Sequence, residues 1–381
     1  MAGASVPDKT EEGRYMSTKT KMEVKYSYLD QQYDPDKSMG RDILRDITEE
    51  MRRGYYTLGP WTEKFENAVC TKYGVRNCVG VNSGTDALFL SMKALGIGTG
   101  DTVLTTPNTF IATVGAIIAT GATPKFCDVG PDYQMDLDKA EHRRVTAGVP
   151  VHLTGLAHRS IGWPLIINDA AQAVGAEYDG ISVTRFQHVA CFSLHPLKNL
   201  HGAGDGGFIT TDDNDLAKDL RLLRNHGLFD RDTVVRPGYN SRLDSLQAIF
   251  AWHGLQHIDE INDIRRLNAA RYDEGLRGLP GVTVPARDPR ALQVYHTYII
   301  QVARRAELIK YLTEKGIEAK IHYPVPCHLQ PGMKRLGYKK GDFPVCEAQA
   351  DCILSLPIHE YLLEDQVDYV MESIRSFFGP F

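Results

Sequence analysis

Several features that define common protein classes are missing from this chain of 381 residues. Its first 25 residues are polar and lack the apolar segment of a signal peptide, and no apolar run is long enough to cross a bilayer. Lys and Arg number 43 against 48 Asp and Glu, without the basic stripe of a nucleic-acid surface. We therefore expect a cytoplasmic protein that binds neither membranes nor nucleic acids.

Cysteine patterns that would indicate a metal or disulfide framework are also missing. The seven cysteines are scattered, and no Cys-x-x-Cys pair occurs. Such usage is typical of a reducing compartment. His195 and His201 lie in one predicted turn, but their spacing to the other histidines is irregular. We therefore predict no bound metal.

Neither of the common glycine-rich nucleotide motifs is present. The stretch "CFSLHPLKNLHGAGDGG", residues 191–207, places Lys198 before a cluster of four glycines. A P-loop places its lysine after the glycines, and no Gly-x-Gly-x-x-Gly opens a helix here. Two interpretations of Lys198 remain: a solvated lysine in a surface turn, or an amine at a strand end that attacks carbonyl groups.

The order of predicted elements indicates an α/β fold. Apolar strands alternate with helical patterns over about 200 residues, which predicts a mostly parallel sheet covered on both faces. After residue 251, a long helix and the alternating strand "VYHTYIIQV" predict a smaller α+β domain. The predicted organisation is a disordered leader over 1–25, a large domain over 26–250 and a small domain over 251–381.

Polar groups follow three predicted strands, at residues 83–86, 169–172 and 193–198. Ligands of open α/β folds bind beyond the carboxyl ends of the strands. The first turn, with Ser83 as a predicted N-cap, suits an anion at a helix N-terminus. The other two offer the Asp169 carboxylate, the Ser193 hydroxyl and the Lys198 amine. Pyridoxal 5′-phosphate (PLP) has a phosphate, a protonatable ring nitrogen and a carbonyl, so it would satisfy all three.

Nine short motifs, in order from about residue 26 to the C-terminus, resemble the DegT/StrS family of PLP-dependent sugar aminotransferases. They are "SGTDAL", "PNTFIAT", "NDAAQAVGA", "CFSLHPLKNL", "GDGG", "RNHG", "GYNSRLDSLQA", "IHYPVPCHLQ" and "GDFPV". The resemblance implies the fold type I aminotransferase architecture and a homodimer whose active sites lie at the subunit interface.

The resemblance also implies roles for individual residues. Lys198 matches the Schiff-base lysine, Asp169 the partner of the pyridine nitrogen, and Gln172 the residue near the phenolic oxygen. Phe110 matches the aromatic residue that stacks on the ring, and Asn240 the asparagine that the partner subunit sends to the phosphate. The other implied phosphate contacts are Gly84, Thr85, Asp86 and Ser193. The implied substrate-binding residues are Thr57, Leu58, Gly59, His195, Arg242, His322 and Tyr323.

Three of these residues have an ordinary structural interpretation as well. Phe110 could belong to the core, Asp169 could cap a helix, and Asn240 could be a turn asparagine that bonds its own backbone. The sequence also departs from the family pattern in two places. Residues 151–168 are shorter than usual, which predicts a loop in place of a peripheral helix, and Asn168 stands where a glutamate usually precedes the aspartate.

The activity implied is transfer of an amino group from glutamate or glutamine to a keto sugar, with ping-pong kinetics. The substrate is nucleotide-linked or, alternatively, a keto-cyclitol or a free keto sugar acid such as a keto-octulosonate. The run "HPLKNLHGAGDGG" resembles the branch that includes enzymes of free sugar acids. Sugar dehydratases of the family carry histidine in place of the lysine, and a non-catalytic regulator could lack Lys198 or Asp169, so both alternatives are disfavoured here.

Overall fold

The computed structural model describes residues 22–140, 145–157 and 165–379. Most of the predicted leader, residues 1–21, lies outside these ranges, as do residues 158–164 of the shortened segment. Residues 22–25 differ from the prediction of disorder. Val24 is fully buried in the core of the C-terminal part of the chain, and its N–H donates to Gly316 O at 2.9 Å. The apolar side chain and the paired backbone hold this stretch in place.

The first part of the chain alternates helices and strands, as predicted. Its elements are α1 (Ser38–Arg53), α2 (Pro60–Tyr73), β1 (Asn77–Val81), α3 (Gly84–Ala94), β2 (Thr102–Thr105), α4 (Ile111–Thr120), β3 (Thr123–Phe126), β4 (Ala147–Gly148), β5 (Ile167–Asp169), β6 (Glu177–Tyr178), β7 (Ile181–Ser182), β8 (Val189–Ser193), β9 (Gly207–Thr211) and α5 (Asn214–Leu223). The described parts of the shortened segment, 151–157 and 165–168, contain no helix.

The large sheet is mostly parallel. Its strands follow the order β1-β9-β8-β5, and parallel bridges between Gly148 and Ile166 and between Val151 and Asp169 join β5 to the set β4-β2-β3. Only β9 runs against its neighbours β1 and β8, while β8, β5, β4, β2 and β3 pair in parallel. Strand β8 is buried along its whole length, which explains its continuous apolar sequence.

The direction of these strands brings their carboxyl ends to one edge of the sheet. Strand β5 ends at Asp169 and strand β8 at Ser193, while β1 is followed after one residue by Ser83, which caps α3. The Ser83 hydroxyl accepts a hydrogen bond from the Asp86 N–H at 3.1 Å, which confirms the predicted N-cap. Buried clusters on the two faces of the sheet hold the helices in place. One cluster includes α3 and α5, and the other includes α2 and the long helix that begins at Ser245.

The second part of the chain completes a smaller α+β unit. Its elements are α6 (Ser245–Leu276), β10 (Val282–Thr283), β11 (Ala291–Leu292), β12 (Tyr298–Val302), α7 (Arg305–Glu314), α8 (Pro344–Cys352), β13 (Ile353–Leu356) and α9 (Glu364–Phe378). The antiparallel sheet β10-β12-β13 packs with α7 and α9 around a core of its own. Helix α6 crosses the predicted boundary at residue 250, so it is shared by both cores. None of the helices in the described ranges has the length and apolar character to span a membrane.

Candidate active site

A cavity of about 310 Å³ opens at the carboxyl edge of the large sheet. This is a volume typical of sites for small molecules and cofactors. Ten residues proposed from the sequence lie in its wall. They are Gly84, Thr85, Phe110, Asp169, Gln172, Ser193, His195, Lys198, His322 and Tyr323.

The turn between β1 and α3 forms one end of the cavity. The first N–H groups of a helix have no partner within it, and they attract anions. The Asp86 N–H is already bonded to Ser83, so the amides of Gly84 and Thr85 are the ones left to face the cavity. A Cβ atom at Gly84 would lie 2.7 Å from Ser193 Cβ, and one at Gly207 would lie 2.5 Å from Ser83 C and O. Glycine at these two positions therefore lets the turn, Ser193 and the start of β9 approach closely.

Asp169 lies at the end of β5 and is buried. Thr113 Oγ1 donates to its Oδ2 at 2.6 Å, and the Ala171 N–H donates to its Oδ1 at 3.2 Å. Burial raises its pKa, and these two hydrogen bonds oppose the rise. A turn rather than a helix follows Asp169, so the helix-cap interpretation is wrong. The carboxylate forms no ion pair with the described residues, and a cationic ligand group would stabilise it.

Lys198 lies in the turn that follows β8. Its backbone N–H donates to His195 O at 2.8 Å. Removal from water lowers the pKa of its ammonium group to about 8, while the Asp169 carboxylate works in the opposite direction. An ordinary lysine has a pKa near 10.4. Lys198 therefore holds a much larger share of neutral, nucleophilic amine near neutral pH than a surface lysine does, which argues against the surface-turn interpretation.

Phe110, Gln172, His322 and Tyr323 are further residues of the cavity wall. Phe110 is 57% exposed, so it is not a core residue, and its ring centroid lies 6.0 Å from that of Tyr323. The Oε1 atom of Gln172 is buried and has no hydrogen-bond partner among the described residues. His322 Nδ1 is bonded to Ser355 Oγ at 2.9 Å, and burial lowers the pKa of His322 to about 4.

His296 also lines the cavity, and sequence reasoning missed it. The Nδ2 of Asn199 donates to Asn262 Oδ1 at 2.8 Å and to Val294 O at 2.9 Å. This leaves Asn199 Oδ1 as an acceptor for His296 Nδ1 at 3.4 Å, which assigns the ring hydrogen to Nδ1. Burial lowers the pKa of His296 well below its usual range. The neutral ring therefore offers Nε2 as a hydrogen-bond acceptor.

Thr113, Asp205 and His152 are further cavity residues that sequence reasoning missed. Thr113 stands inside the motif "PNTFIAT", one turn of α4 beyond Phe110, and that spacing was a usable signal. His152 Nε2 is bonded to Asn168 Oδ1 at 3.3 Å, and Asn168 Nδ2 donates to Val189 O at 3.1 Å. Asn168, the departure from the family pattern, thus links β5 to β8 and to the cavity wall.

Six predicted site residues lie outside the cavity wall: Thr57, Leu58, Gly59, Asp86, Asn240 and Arg242. Thr57 forms a backbone bridge with Asp244, so 57–59 lie beside the chain segment that follows 240–242. Asn240 is exposed, and its side chain makes no hydrogen bond to the residues that the structure describes. The interpretation of Asn240 as a turn asparagine that bonds its own backbone is therefore not supported by the described part of the chain.

Residues 37–375 match the family described as the DegT/DnrJ/EryC1/StrS aminotransferase family, and the chain belongs to this family. A dTDP-3-amino-3,4,6-trideoxy-alpha-D-glucose transaminase of Streptomyces venezuelae is 39% identical over 87% of this chain and 90% of that protein. A "pleiotropic regulatory protein" of Geobacillus stearothermophilus is 37% identical over 94% of this chain and 100% of that protein. The predicted family and the aminotransferase activity are confirmed.

Solved structures agree with this assignment. DesV of S. venezuelae, in complex with a ketimine intermediate, superposes with a TM-score of 0.89 at 36% identity, covering 94% of this chain and 99% of that one. NtdA of Bacillus subtilis, with the cofactor PMP bound, has a TM-score of 0.86 at 27% identity and coverages of 93% and 85%. The predicted fold type I architecture and the pyridoxal phosphate cofactor are confirmed.

The cavity residues fit this cofactor. The free amides of Gly84 and Thr85 suit its phosphate, and the buried Asp169 carboxylate suits a protonated ring nitrogen. The unpartnered Gln172 Oε1 and the exposed face of Phe110 suit its polar edge and its ring. A buried polar group without a partner costs free energy, so a ligand of this chemistry would stabilise the Asp169 carboxylate and Gln172 Oε1.

Gly207→Ala should weaken PLP binding, because its methyl group meets the backbone of the Ser83 turn at 2.5 Å. We expect a cost of about 1–3 kcal/mol, a roughly 5- to 150-fold rise in Kd, measured by absorbance titration of the apoenzyme. Gly204→Ala is the matched control, since its added Cβ would meet only the flexible end of Gln247, at 2.9 Å. Equal Kd values for the two variants would contradict the close-approach argument.

Proposed function

We propose that this aminotransferase moves an amino group from glutamate or glutamine to the carbonyl carbon of a nucleotide-linked keto sugar, in two half-reactions. The donor becomes a 2-oxo acid in the first half, which consumes one water, and the sugar carbonyl becomes an amine in the second, which releases one. No net oxidation occurs. The observation that carries the proposal is the presence, in one cavity, of an amine with a lowered pKa and a buried carboxylate.

Lys198 is the proposed covalent and proton-transferring residue. Bound PLP supplies a carbonyl that takes up the amino group and a ring that withdraws electrons from the reacting carbon. Because its pKa is lowered to about 8, Lys198 Nζ holds a free electron pair in a useful fraction of molecules at neutral pH. The same atom accepts the proton that leaves the α-carbon of the donor.

Asp169 is proposed to hold a proton on the ring nitrogen of the cofactor. Its Oδ2 accepts from Thr113 and its Oδ1 from the Ala171 N–H, and these bonds hold the orientation of the carboxylate. An ion pair formed inside this buried site is strong because water does not screen it. A neutral side chain of the same shape would keep the contact but lose the charge that retains the proton.

The remaining wall residues are proposed to bind and orient. The amides of Gly84 and Thr85 and the Ser193 hydroxyl hold the phosphate, which fixes one end of the cofactor. Phe110 covers one face of the ring, and Gln172 bonds its polar edge. His195, His322 and Tyr323, which also line the cavity, would contact the substrate, and His296 Nε2 adds an acceptor suited to a hydroxyl group.

The names of the relatives support a nucleotide-linked substrate. They include transaminases of dTDP-linked and UDP-linked keto sugars that are 36–39% identical to this chain. A free keto sugar acid or keto-cyclitol stays the alternative. A regulatory role, suggested by the name of one relative, is less well supported because Lys198 and Asp169 are both present in the cavity.

We also propose a homodimer with shared active sites. Its interface would include 57–59 and 240–242, the segments with predicted site residues that lie outside the cavity wall. Large apolar side chains that precede these segments in the chain are exposed, namely Tyr55, Tyr56, Phe229, Val234 and Val235. Phe229 is 74% exposed, and exposed apolar surface of this kind is typical of interaction surfaces. On this proposal Asn240 and Arg242 serve the cavity of the other subunit. The Ser241 hydroxyl donates to Asn82 Oδ1 at 3.2 Å, so service to its own phosphate turn is the competing arrangement.

The substrate proposal is tested by converting the enzyme to its aminated form with glutamate or glutamine and then adding keto sugars in single-turnover experiments. A dTDP- or UDP-linked keto sugar should discharge the amino group, seen as recovery of the PLP absorbance, faster than the same sugar without the nucleotide. Discharge by a free keto-octulosonate alone would favour the alternative. Failure of both amino donors would contradict the donor assignment.

The apoenzyme should capture PLP covalently at a rate that rises with pH through about 8 and then levels off, because only the neutral Lys198 amine attacks a carbonyl. Borohydride reduction and mass spectrometry should locate the label on Lys198. In Lys198→Ala, PLP should bind without covalent capture while the unfolding temperature stays unchanged. Trapping on another lysine in that variant would show that the assignment is wrong.

Mixing Asn240→Ala with Lys198→Ala tests the shared site. If Asn240 serves the partner subunit, each mixed dimer has one intact site, and a one-to-one mixture should regain about a quarter of wild-type activity at limiting PLP. Gln172→Ala mixed with Lys198→Ala is the control, since both residues line one cavity and no intact site can form. Subunit exchange is followed with tagged chains. Exchange without recovery in the Asn240 mixture would mean that Asn240 serves its own subunit.

A further inference from the structure

Residues 26–33, "YSYLDQQY", lie across the turn that carries Lys198, and we name them the N-terminal strap. The Tyr28 hydroxyl donates to Leu197 O at 3.1 Å, and Gln32 Nε2 donates to Pro196 O at 2.5 Å. On the other side of the lysine, the Tyr33 hydroxyl is bonded to His201 Nδ1 at 2.6 Å. The strap therefore contacts the chain on both sides of Lys198.

The two peptide groups that precede Lys198 are each held at both ends. In the first, Pro196 O accepts from Gln32, and the Leu197 N–H donates to His195 Nδ1 at 3.3 Å. In the second, Leu197 O accepts from Tyr28, and the Lys198 N–H donates to His195 O at 2.8 Å. In both groups the strap supplies the partner of the carbonyl oxygen. These bonds fix the direction in which the Lys198 side chain leaves the backbone.

The strap is in turn anchored to a buried ion pair. Arg265 Nη2 donates to the Tyr28 hydroxyl at 2.7 Å, and Arg265 pairs with Glu360 at 2.9 Å with side-chain exposures of 1% and 6%. A guanidinium group can only donate, so the Tyr28 hydroxyl accepts from Arg265 and must give its own hydrogen to Leu197 O. Burial raises the pKa of Tyr28 to about 12, and the hydroxyl keeps that hydrogen at working pH.

We propose that the N-terminal strap is part of the catalytic apparatus, with Tyr28 and Gln32 as positioning residues that hold the Lys198 amine inside the cavity. The inference rests on the function proposed for Lys198. If the strap served only the stability of the fold, its bonds could fall anywhere on the large domain. Two of them fall instead on the two carbonyls next to the reacting residue, and a third, from Tyr33, falls on His201 just beyond it.

A loosened strap should change the acid–base behaviour of Lys198 in a defined direction. Burial is the main cause of the lowered pKa of Lys198, and the Asp169 charge opposes it. A more mobile turn would admit water around the amine, so its pKa should move up, toward the ordinary lysine value. Less neutral amine would then be present at neutral pH.

The test uses the full-length apoenzyme and PLP, without any sugar. In Tyr28→Phe and in Gln32→Leu, the pH midpoint of covalent capture should rise by roughly half a unit, with a roughly three-fold slower capture below the midpoint. The control is Tyr361→Phe, because the Tyr361 ring lies 5.7 Å from that of Tyr28 but contacts no residue of the Lys198 turn through a described hydrogen bond. Thermal unfolding is recorded for all three.

The outcomes separate the two claims. A midpoint and rate in Tyr28→Phe and Gln32→Leu equal to those of Tyr361→Phe would overturn the positioning role, whatever their unfolding temperatures. If Tyr28→Phe does not fold, Gln32→Leu decides the matter alone, since Gln32 does not contact Arg265 through a described hydrogen bond. Wild-type capture at a residue other than Lys198 would instead overturn the function proposed for the lysine itself.

Discussion

A half-buried amine and a buried carboxylate at the edge of one sheet are the constraint on which the rest of this structure depends. Burial lowers the pKa of Lys198 and raises that of Asp169, so in both groups it disfavours the charged form. Keeping the two groups there costs free energy that a buried apolar pair would not cost. The protein tolerates that cost through donors to Asp169, from Thr113 and Ala171, and through backbone bonds around Lys198. A ligand with a cationic ring and a carbonyl would relieve both.

The glycine cluster after Lys198 allows the chain to pack closely around the site that holds these two groups. Gly207 brings β9 against the Ser83 turn, and Gly202 and Gly204 leave room for the Gln247 side chain from α6. The chain can therefore turn back beside the Ser83 turn immediately after it has placed the lysine. A phosphate loop would present glycine amides to the ligand, whereas here the glycines admit neighbouring protein atoms. This explains why the lysine comes before the glycines.

The sequence predicted the part of the site that depends on strand ends and local motifs. Asp169, Ser193 and Lys198 follow apolar strands, and parallel pairing brings such ends together without any further information. The strap and His296 could not be predicted, because their roles depend on contacts across long sequence separations, such as that between Tyr28 and Leu197. The Asp86 amide was assigned to the phosphate, but the Ser83 cap competes for it. The subunit that Asn240 serves stays a prediction.

The Lys198 turn is also where the two cores of the chain meet. Asp169, Ser193 and the α3 turn belong to the large sheet. The turn is held from elsewhere: Asn262 of α6 bonds to Asn199, and Tyr28 bonds to Leu197 O. Tyr28 is in turn held by Arg265 of α6, which also bonds to Ile358 O and Glu360 of the smaller unit. The distance between the lysine amine and the Asp169 carboxylate is therefore set jointly by both units. Arg265 reaches that turn by two routes: through Tyr28, which donates to Leu197 O, and through Tyr295, whose neighbours Val294 and His296 both bond to Asn199. A change at the buried Arg265–Glu360 pair, outside the cavity wall, is therefore expected to act on the turn that carries the reacting amine.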